Sequence, residues 1–264
     1  MALRRLDAEL VRRGLARSRE TAKTLIESGD VEVRGIAVTK VNRQVAPDDP
    51  IKVADRAANN WVSRGSGKLI GALDAFPEIG IEGRVCLDAG ASTGGFTAVL
   101  LERGAATVYA IDVGYGQLAW VLQQDPRVVV MDRFNVRKLE PADLLHPPEL
   151  VVADLSFISL RTVLPALVGA ASPHADFVLM VKPQFEVGRD LLGKNGVVRD
   201  PVLRAQAVVA VGRSAESLGL GCAGVCASPV PGPSGNVEYF VWLRRDSPSI
   251  REDDVERAIA EGPT

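Results

Sequence analysis

Asp154 and Lys182 are the first residues whose placement suggests chemistry. Each follows an apolar run, Leu150–Ala153 and Phe177–Val181, so each should emerge at the carboxyl edge of a sheet, where open α/β sheets bind ligands. Charges at adjacent strand ends must pair, or their desolvation is costly. A structural salt bridge is the plain alternative, but it leaves unexplained why the charges gather on the ligand side. Lys68 opens a helical run, Leu69–Phe76, where the helix macrodipole disfavours a cation. It is either simply solvated or placed for a purpose.

A second constellation is Arg84–Phe96, Arg-Val-Cys-Leu-Asp-Ala-Gly-Ala-Ser-Thr-Gly-Gly-Phe. An apolar strand ends in Asp88, and a loop of small residues follows (Gly90, Ala91, Ser92, Thr93). Gly94 and Gly95 then open a helix, Phe96–Arg103. Such a corner lets backbone approach a ligand and offers unpaired N–H groups. The spacing departs from the G-x-G-x-x-G of dinucleotide sites, so a cofactor without a pyrophosphate fits better, and S-adenosylmethionine (SAM) is the obvious one. Asp112, at the end of the next strand, is placed to accept from ribose hydroxyls. Asp132 or Asn135, after the third strand, would face the adenine.

The elements that must hold these residues alternate. Strands are expected at Thr107–Val113, Arg127–Met131, Gly221–Ala227 and Glu238–Leu243. Helices are expected at Gln117–Gln123, Leu160–Val168, Pro201–Leu218 and Glu252–Ala260. Alternation predicts an α/β fold, a Rossmann-like, mostly parallel sheet with helices on both faces. The last two strands, joined by a loop, predict an antiparallel edge hairpin. Ahead of this core, helices at Leu6–Arg13 and Arg19–Ser28 precede a hairpin, Val31–Val33 and Ile36–Val38, and a short strand, Ile51–Val53. These make a small α+β domain at 1–55, a linker at 56–64 and the larger domain at 65–264.

The 264 residues are 47% hydrophobic and 24% charged, enough for a proper core, and carry a net charge of −2. That total hides an asymmetry, because residues 1–60 hold 12 Lys/Arg against 9 Asp/Glu. Arg4, Arg5, Arg12, Arg13, Arg17, Arg19 and Lys23 are candidate phosphate contacts. The three cysteines have neither zinc nor C-x-x-C spacing, which predicts reduced thiols, a cytoplasmic protein and no metal. No apolar stretch is long enough to span a bilayer.

Asp88-x-Gly-x-x-x-Gly-Gly-Phe, Asp154, Lys182-Pro183 and Glu238, with upstream Lys68, resemble the Lys-Asp-Lys-Glu set of FtsJ-like ribose 2′-O-methyltransferases. The N-terminal unit resembles the S-four-type RNA-binding domain. The two joined resemble the TlyA family, some of whose members are also labelled haemolysin A. Trp61-Val-Ser-Arg-Gly, Ala153-Asp-Leu-Ser-Phe-Ile-Ser, Lys182-Pro-Gln-Phe-Glu and Gly232-Pro-Ser-Gly-Asn-Val-Glu carry that likeness over essentially the whole chain. It breaks at the linker, where relatives have Arg-Ala before Trp-Val and this chain has Asn59 and Asn60.

The resemblance implies a ribosomal-RNA cytidine 2′-O-methyltransferase using SAM, with Lys68, Asp154, Lys182 and Glu238 catalytic. It also implies that methylation favours binding of capreomycin and viomycin. Leu6–Gly14 and Glu252–Ala260 look like the terminal extensions of members acting on both subunits' RNA. Lys182, beside Lys68 and between Asp154 and Glu238, would have its pKa lowered and deprotonate or orient the hydroxyl. Phe157 is a candidate for stacking on the target base, and Arg64 and Arg137 for phosphate contacts. The expected partner is ribosomal RNA within subunits, bound by a monomer. The competing classes are a membrane-active haemolysin-like protein and a non-catalytic RNA-binding assembly factor.

Overall fold

The structure, a computed structural model, describes residues 4–16, 18–27, 29, 31–53, 63, 65–232 and 235–262. The chain divides into two compact units, Met1–Trp61 and Val62–Thr264. The expected linker apart from Ser63, together with Arg17 and Arg64, lies outside the described residues.

In the first unit, helices α1 (Leu6–Arg12) and α2 (Arg19–Glu27) follow a two-residue strand β1 (Arg4–Arg5). Ser18 starts α2 as its sequence position predicts, its Oγ accepting from the Thr21 N–H at 3.1 Å. Strands β2 (Val31–Val33), β3 (Ile36–Ala37) and β5 (Ile51–Val53) form one sheet, and β1 pairs with β4 (Gln44–Val45). Arg34 and Gly35 both have positive φ, 55° and 74°, which makes the β2–β3 connection a two-residue turn whose twist suits a hairpin. Leu6, Leu10, Ala22, Ile26, Val31 and Val33 fill the core of the unit. Strands β1 and β4 are too short to show a period in the sequence, and the reading missed both.

The second unit is an α/β sandwich. Its strands are β6 (Val85–Ala89), β7 (Thr107–Asp112), β8 (Val128–Asp132), β9 (Leu150–Ala153), β10 (Asp176–Val181), β11 (Gly221–Ala227) and β12 (Tyr239–Arg244). They lie in the order β11-β12-β10-β9-β6-β7-β8. All pairs are parallel except those of β12, which runs antiparallel between β10 and β11. The order of strands reverses between β6 and β9, so a crevice opens there at their carboxyl ends.

Alternate residues of each strand face opposite layers. Leu87, Tyr109, Val151, Phe177 and Val241 join the core beneath α6 (Leu160–Ala170), α8 (Pro201–Glu216) and α9 (Glu252–Glu261). On the other face, Phe240 and Trp242 meet Phe96 and Phe76, with ring centroids 6.1 and 5.6 Å apart. Those partners belong to α4 (Gly95–Glu102) and to the end of α3 (Gly65–Ala75). Helix α3 begins four residues before the expected Leu69, which moves Lys68 inside its first turn, and α5 keeps only Trp120–Gln123 of its predicted span. Among the described residues no helix is long and apolar enough to cross a membrane.

Candidate active site

Four charged side chains meet at the crevice as an alternating chain. Lys68 Nζ donates to Glu238 Oε2 at 2.6 Å and lies 3.8 Å from Asp154 Oδ2. Asp154 Oδ1 is 2.5 Å from Lys182 Nζ, which also reaches Ser156 Oγ at 3.0 Å. Glu238 is fully buried, and Lys68 and Lys182 are 8% and 6% exposed. Two cations and two carboxylates thus neutralise one another where single charges would be prohibitively desolvated. The four residues meet in an order other than the one expected from the sequence: Glu238 pairs with Lys68, and Asp154 separates the two ammonium groups.

The backbone supplies each member for a reason. Asp154 and Lys182 are the residues immediately after β9 and β10, whereas Glu238 immediately precedes β12. Because β12 runs antiparallel, its beginning lies at the edge where parallel strands end. Glycine is required at 232, since a Cβ there would fall 2.3 Å from Glu238 Oε1. Asn236 fastens the same approach, donating to the Gly196 carbonyl at 3.2 Å and accepting from the Val198 N–H at 3.1 Å.

A cleft runs from Lys68 and Asp154 over the glycine loop. One end is lined by Ser63, Gly65, Gly90–Thr93, Gly95, Phe96, Val230 and Pro231. The other is lined by Asp112, Val113, Gln117, Phe134, Asn135 and Arg137. Gly90, at φ 88°, lets the loop lie against the end of β9, where a Cβ would meet the Asp154 carbonyl oxygen at 2.6 Å. Asp112 accepts from the Ser92 and Gly114 N–H groups at 2.8 and 2.7 Å, which fixes its carboxylate at the rim. Asn135 lines this end while its Oδ1 accepts from the Arg137 N–H.

Three residues expected at the cofactor are not among those that line the cleft. Asp88 is fully buried and accepts from Thr97 Oγ1 at 2.6 Å, and burial pushes its carboxyl up to about 7 against that hydrogen bond. Gly94, at φ 96°, caps α4 where a Cβ would strike Leu122 at 2.2 Å, so its smallness serves helix packing. Asp132 accepts from the Gly116 N–H at 2.8 Å and braces the loop after β7. Ser63, Val230 and Pro231 went unnoticed in the sequence because they come from segments without a period.

Beyond Lys182 lies a second recess, lined by Ser156, Phe157, Gln184, Phe185, Asn236 and Glu238 among others. Phe157 is 91% exposed at φ 64°, a strained conformation for an aromatic residue. Its ring centroid is 5.3 Å from that of Phe185, tilted by 47°. Glu186, buried at the end of the short helix α7 (Pro183–Glu186), holds the strained loop. It accepts from Ser159 Oγ at 2.5 Å, the Leu160 N–H at 2.7 Å and Arg161 Nε at 3.2 Å.

The basic residues of the first unit are braced from behind. Fully buried Glu9 meets Arg12 at 2.6 Å, Arg13 at 2.8 Å and Arg4 at 3.7 Å. The Arg12 and Arg13 hydrogen bonds hold its carboxyl down to about 2 despite burial. Asp7 likewise meets Arg5 at 3.1 Å and Arg19 at 3.0 Å. Arg4, Arg5, Arg12 and Arg19 keep about half or more of their side-chain surface free, and Lys23 lies 3.8 Å from Glu27. Arg13 differs. It is 20% exposed and donates to the carbonyls of Ala46, Pro47 and Asp49, so it clamps the fold and is no phosphate contact.

A crevice at the strand reversal, a bare glycine loop and a buried Lys-Asp-Lys-Glu chain define a methyltransferase. The chain belongs to the FtsJ-like methyltransferase family, whose model matches residues 61–245, and an S4 domain matches residues 4–51. It is therefore an enzyme, and its cofactor is SAM. It is 59% identical over 264 residues to the 16S/23S rRNA (cytidine-2′-O)-methyltransferase TlyA of Mycobacterium tuberculosis, covering 98% of each chain. It is 36% identical over 237 residues to Hemolysin A of Brachyspira hyodysenteriae, covering 89% of this chain and 98% of that one. Among solved structures, a provisionally named hemolysin from Streptococcus thermophilus matches with a TM-score of 0.76 and 36% identity, over 99% of this chain and 96% of that one.

Proposed function

We propose that this protein transfers a methyl group from SAM to the 2′-hydroxyl of cytidine in ribosomal RNA, acting on both small- and large-subunit RNA. The observation that carries the proposal is the alternating Lys68–Glu238 and Lys182–Asp154 chain set between a cofactor-sized cleft and a second recess. The name of the 59% identical relative supports the substrate and the nucleoside.

The residues present fit the cofactor. The first N–H groups of α4 carry no side-chain cap and can take a carboxylate. Asp112 retains lone pairs for ribose hydroxyls, Asn135 stands at the adenine end, and Val113 and Phe134 offer apolar walls. When bound, SAM supplies a methyl group already made electrophilic by its sulfonium. The protein must place and activate the acceptor. Lys182, fixed by Asp154 and Ser156, donates its remaining N–H to the 2′-oxygen and orients the hydroxyl, whose proton passes to water as the oxygen takes the methyl group. Asp154 sets its position, and Lys68 and Glu238 keep Asp154 from collapsing onto it. Holding the oxygen in line supplies much of the rate.

RNA is gathered by the domain at 1–55, through Arg4, Arg5, Arg12, Arg19 and Lys23 backed by Asp7 and Glu9, with Arg137 near the cleft and Phe157 against the base. A linker at 56–64 joins it to the methyltransferase domain at 65–264. Arg17 and Arg64 are further RNA contacts proposed from their sequence positions alone. The protein works in the cytoplasm as a monomer, and its methylation promotes capreomycin and viomycin binding. The test is methyl transfer from labelled SAM to isolated ribosomal subunits, with the product nucleoside identified. Label in 2′-O-methylcytidine of both subunits is expected with wild type and essentially none with Lys182→Ala. Label in the large subunit alone would remove the dual-substrate claim, and none in either would remove the enzyme's assignment to RNA.

A further inference from the structure

We infer that Gln184 reads the amino edge of the target base, selecting cytosine over uracil in the recess beyond Lys182. The inference rests on the ribose methylation proposed above, because it assumes that the nucleoside enters on the Lys182 side of the ion chain.

That chain forms a wall. Lys68 and Asp154 line the cofactor cleft, whereas Lys182 and Glu238 line the recess. A ribose whose hydroxyl meets Lys182 therefore leaves its base in the recess. Two oxygens there are buried without a hydrogen-bond partner, Gln184 Oε1 and Glu238 Oε1. Buried acceptors without donors are costly and uncommon, and the cost is relieved when a donor-bearing group arrives. Several other polar groups of the recess are already occupied. Asn236 has partners for both its amide nitrogen and its oxygen, and Ser156 is bonded to Lys182. Asn195, a further amide of the lining, is exposed to water, which leaves Gln184 as the amide with a buried, unpartnered oxygen.

The shape of the recess agrees with a flat ring. Phe157 is held outward in a strained backbone conformation and tilted against Phe185, which forms an aromatic surface of the kind on which splayed-out bases stack. Against that surface, cytosine would present its N4 amino group to the Gln184 oxygen. Uracil would present the O4 carbonyl at the same point, where the Gln184 amide must turn over to offer a donor. A site built around a hydrogen bond in this way rejects the wrong partner by leaving polar groups unpaired.

The test uses the full-length enzyme and two sets of ribosomal subunits, one natural and one purified from cells whose rRNA carries uridine at the mapped methylation position. Wild type is expected to methylate the cytidine subunits strongly and the uridine subunits poorly. Gln184→Leu should lower kcat/KM on cytidine by about tenfold while leaving uridine unchanged, so the preference shrinks by the same factor. Gln184→Glu keeps the acceptor and should retain the cytidine preference, which separates lost recognition from lost folding. SAM affinity by calorimetry should be the same in all three proteins. Equal losses on both substrates, or no loss on cytidine, would overturn the role of Gln184. Absence of transfer by wild type to either set would instead overturn the methylation reading, and this inference with it.

Discussion

The arginine face of the first unit and the lysine cluster of the second place cations against carboxylates in opposite ways. At the arginine face the carboxylates, Asp7 and Glu9, are buried and the cations point outward, with Arg12 and Arg19 49% and 61% exposed. In the cluster both lysines and Glu238 are buried, and Asp154 is largely covered. Exposed cations act through a long-range field that salt screens and several residues share. Buried ones act at one point, and each depends on its neighbour. Loss at the first should be graded, and loss at the second close to all or none.

The sharpest test of that contrast is Lys182→Ala, which should reduce methyl transfer at least ~100-fold while calorimetry finds SAM binding retained, because the cofactor cleft is not lined by Lys182. Glu238→Gln comes next. It leaves Lys68 buried beside a neutral amide, so stability should fall by about 3 kcal/mol, read as a drop in Tm of roughly 6–12 °C. An unchanged Tm would mean that the cluster is wetter than its burial indicates.

Asp88 adds a pH dependence to the same unit. Its folded pKa is raised from 3.8 to about 7, so the fold favours the protonated form and loses stability as pH climbs between those values, by about 1.4 kcal/mol for each unit. Asp88→Asn should flatten the fall in Tm between pH 4 and pH 7, and an unaltered profile would assign the dependence to another group. The smallest effect belongs to the arginine face. Arg12→Ala should weaken RNA binding only severalfold and lower the salt slope by about one. Arg13→Ala should instead lower Tm and leave that slope unchanged, because its guanidinium is bonded to three backbone carbonyls. If the two substitutions behaved alike, the division between outward and structural arginines would fail.

Much of the larger unit was legible because its strands are short apolar runs that end in charged residues, and Asp154 and Lys182 announced themselves in that way. What the sequence did not disclose was pairing. Nothing in its spacing says that Glu238 takes Lys68 as partner, since 170 residues separate the two and one strand's direction decides the matter. The acidic residues in the last two positions of β6, β7 and β8 were all expected at the cofactor, yet Asp112 reaches the cleft rim, Asp132 braces a neighbouring loop and Asp88 turns inward. Alternation along a strand sets which face a residue takes, but not whether a loop comes to cover it. The bracing of the arginines is illegible in the sequence for a related reason: only packing puts Asp7 and Glu9 inside.

The reversed course of β12 also sets an order of events during synthesis. Residues emerge from the ribosome in sequence, so Lys68, Asp154 and Lys182 are all made before Glu238. Until then Lys68 lacks its anion and β10 lacks the neighbour that will cover its edge. The growing chain thus carries an unfinished, charged seam until β12 has been made, and the reactive centre closes only after that strand has left the exit tunnel.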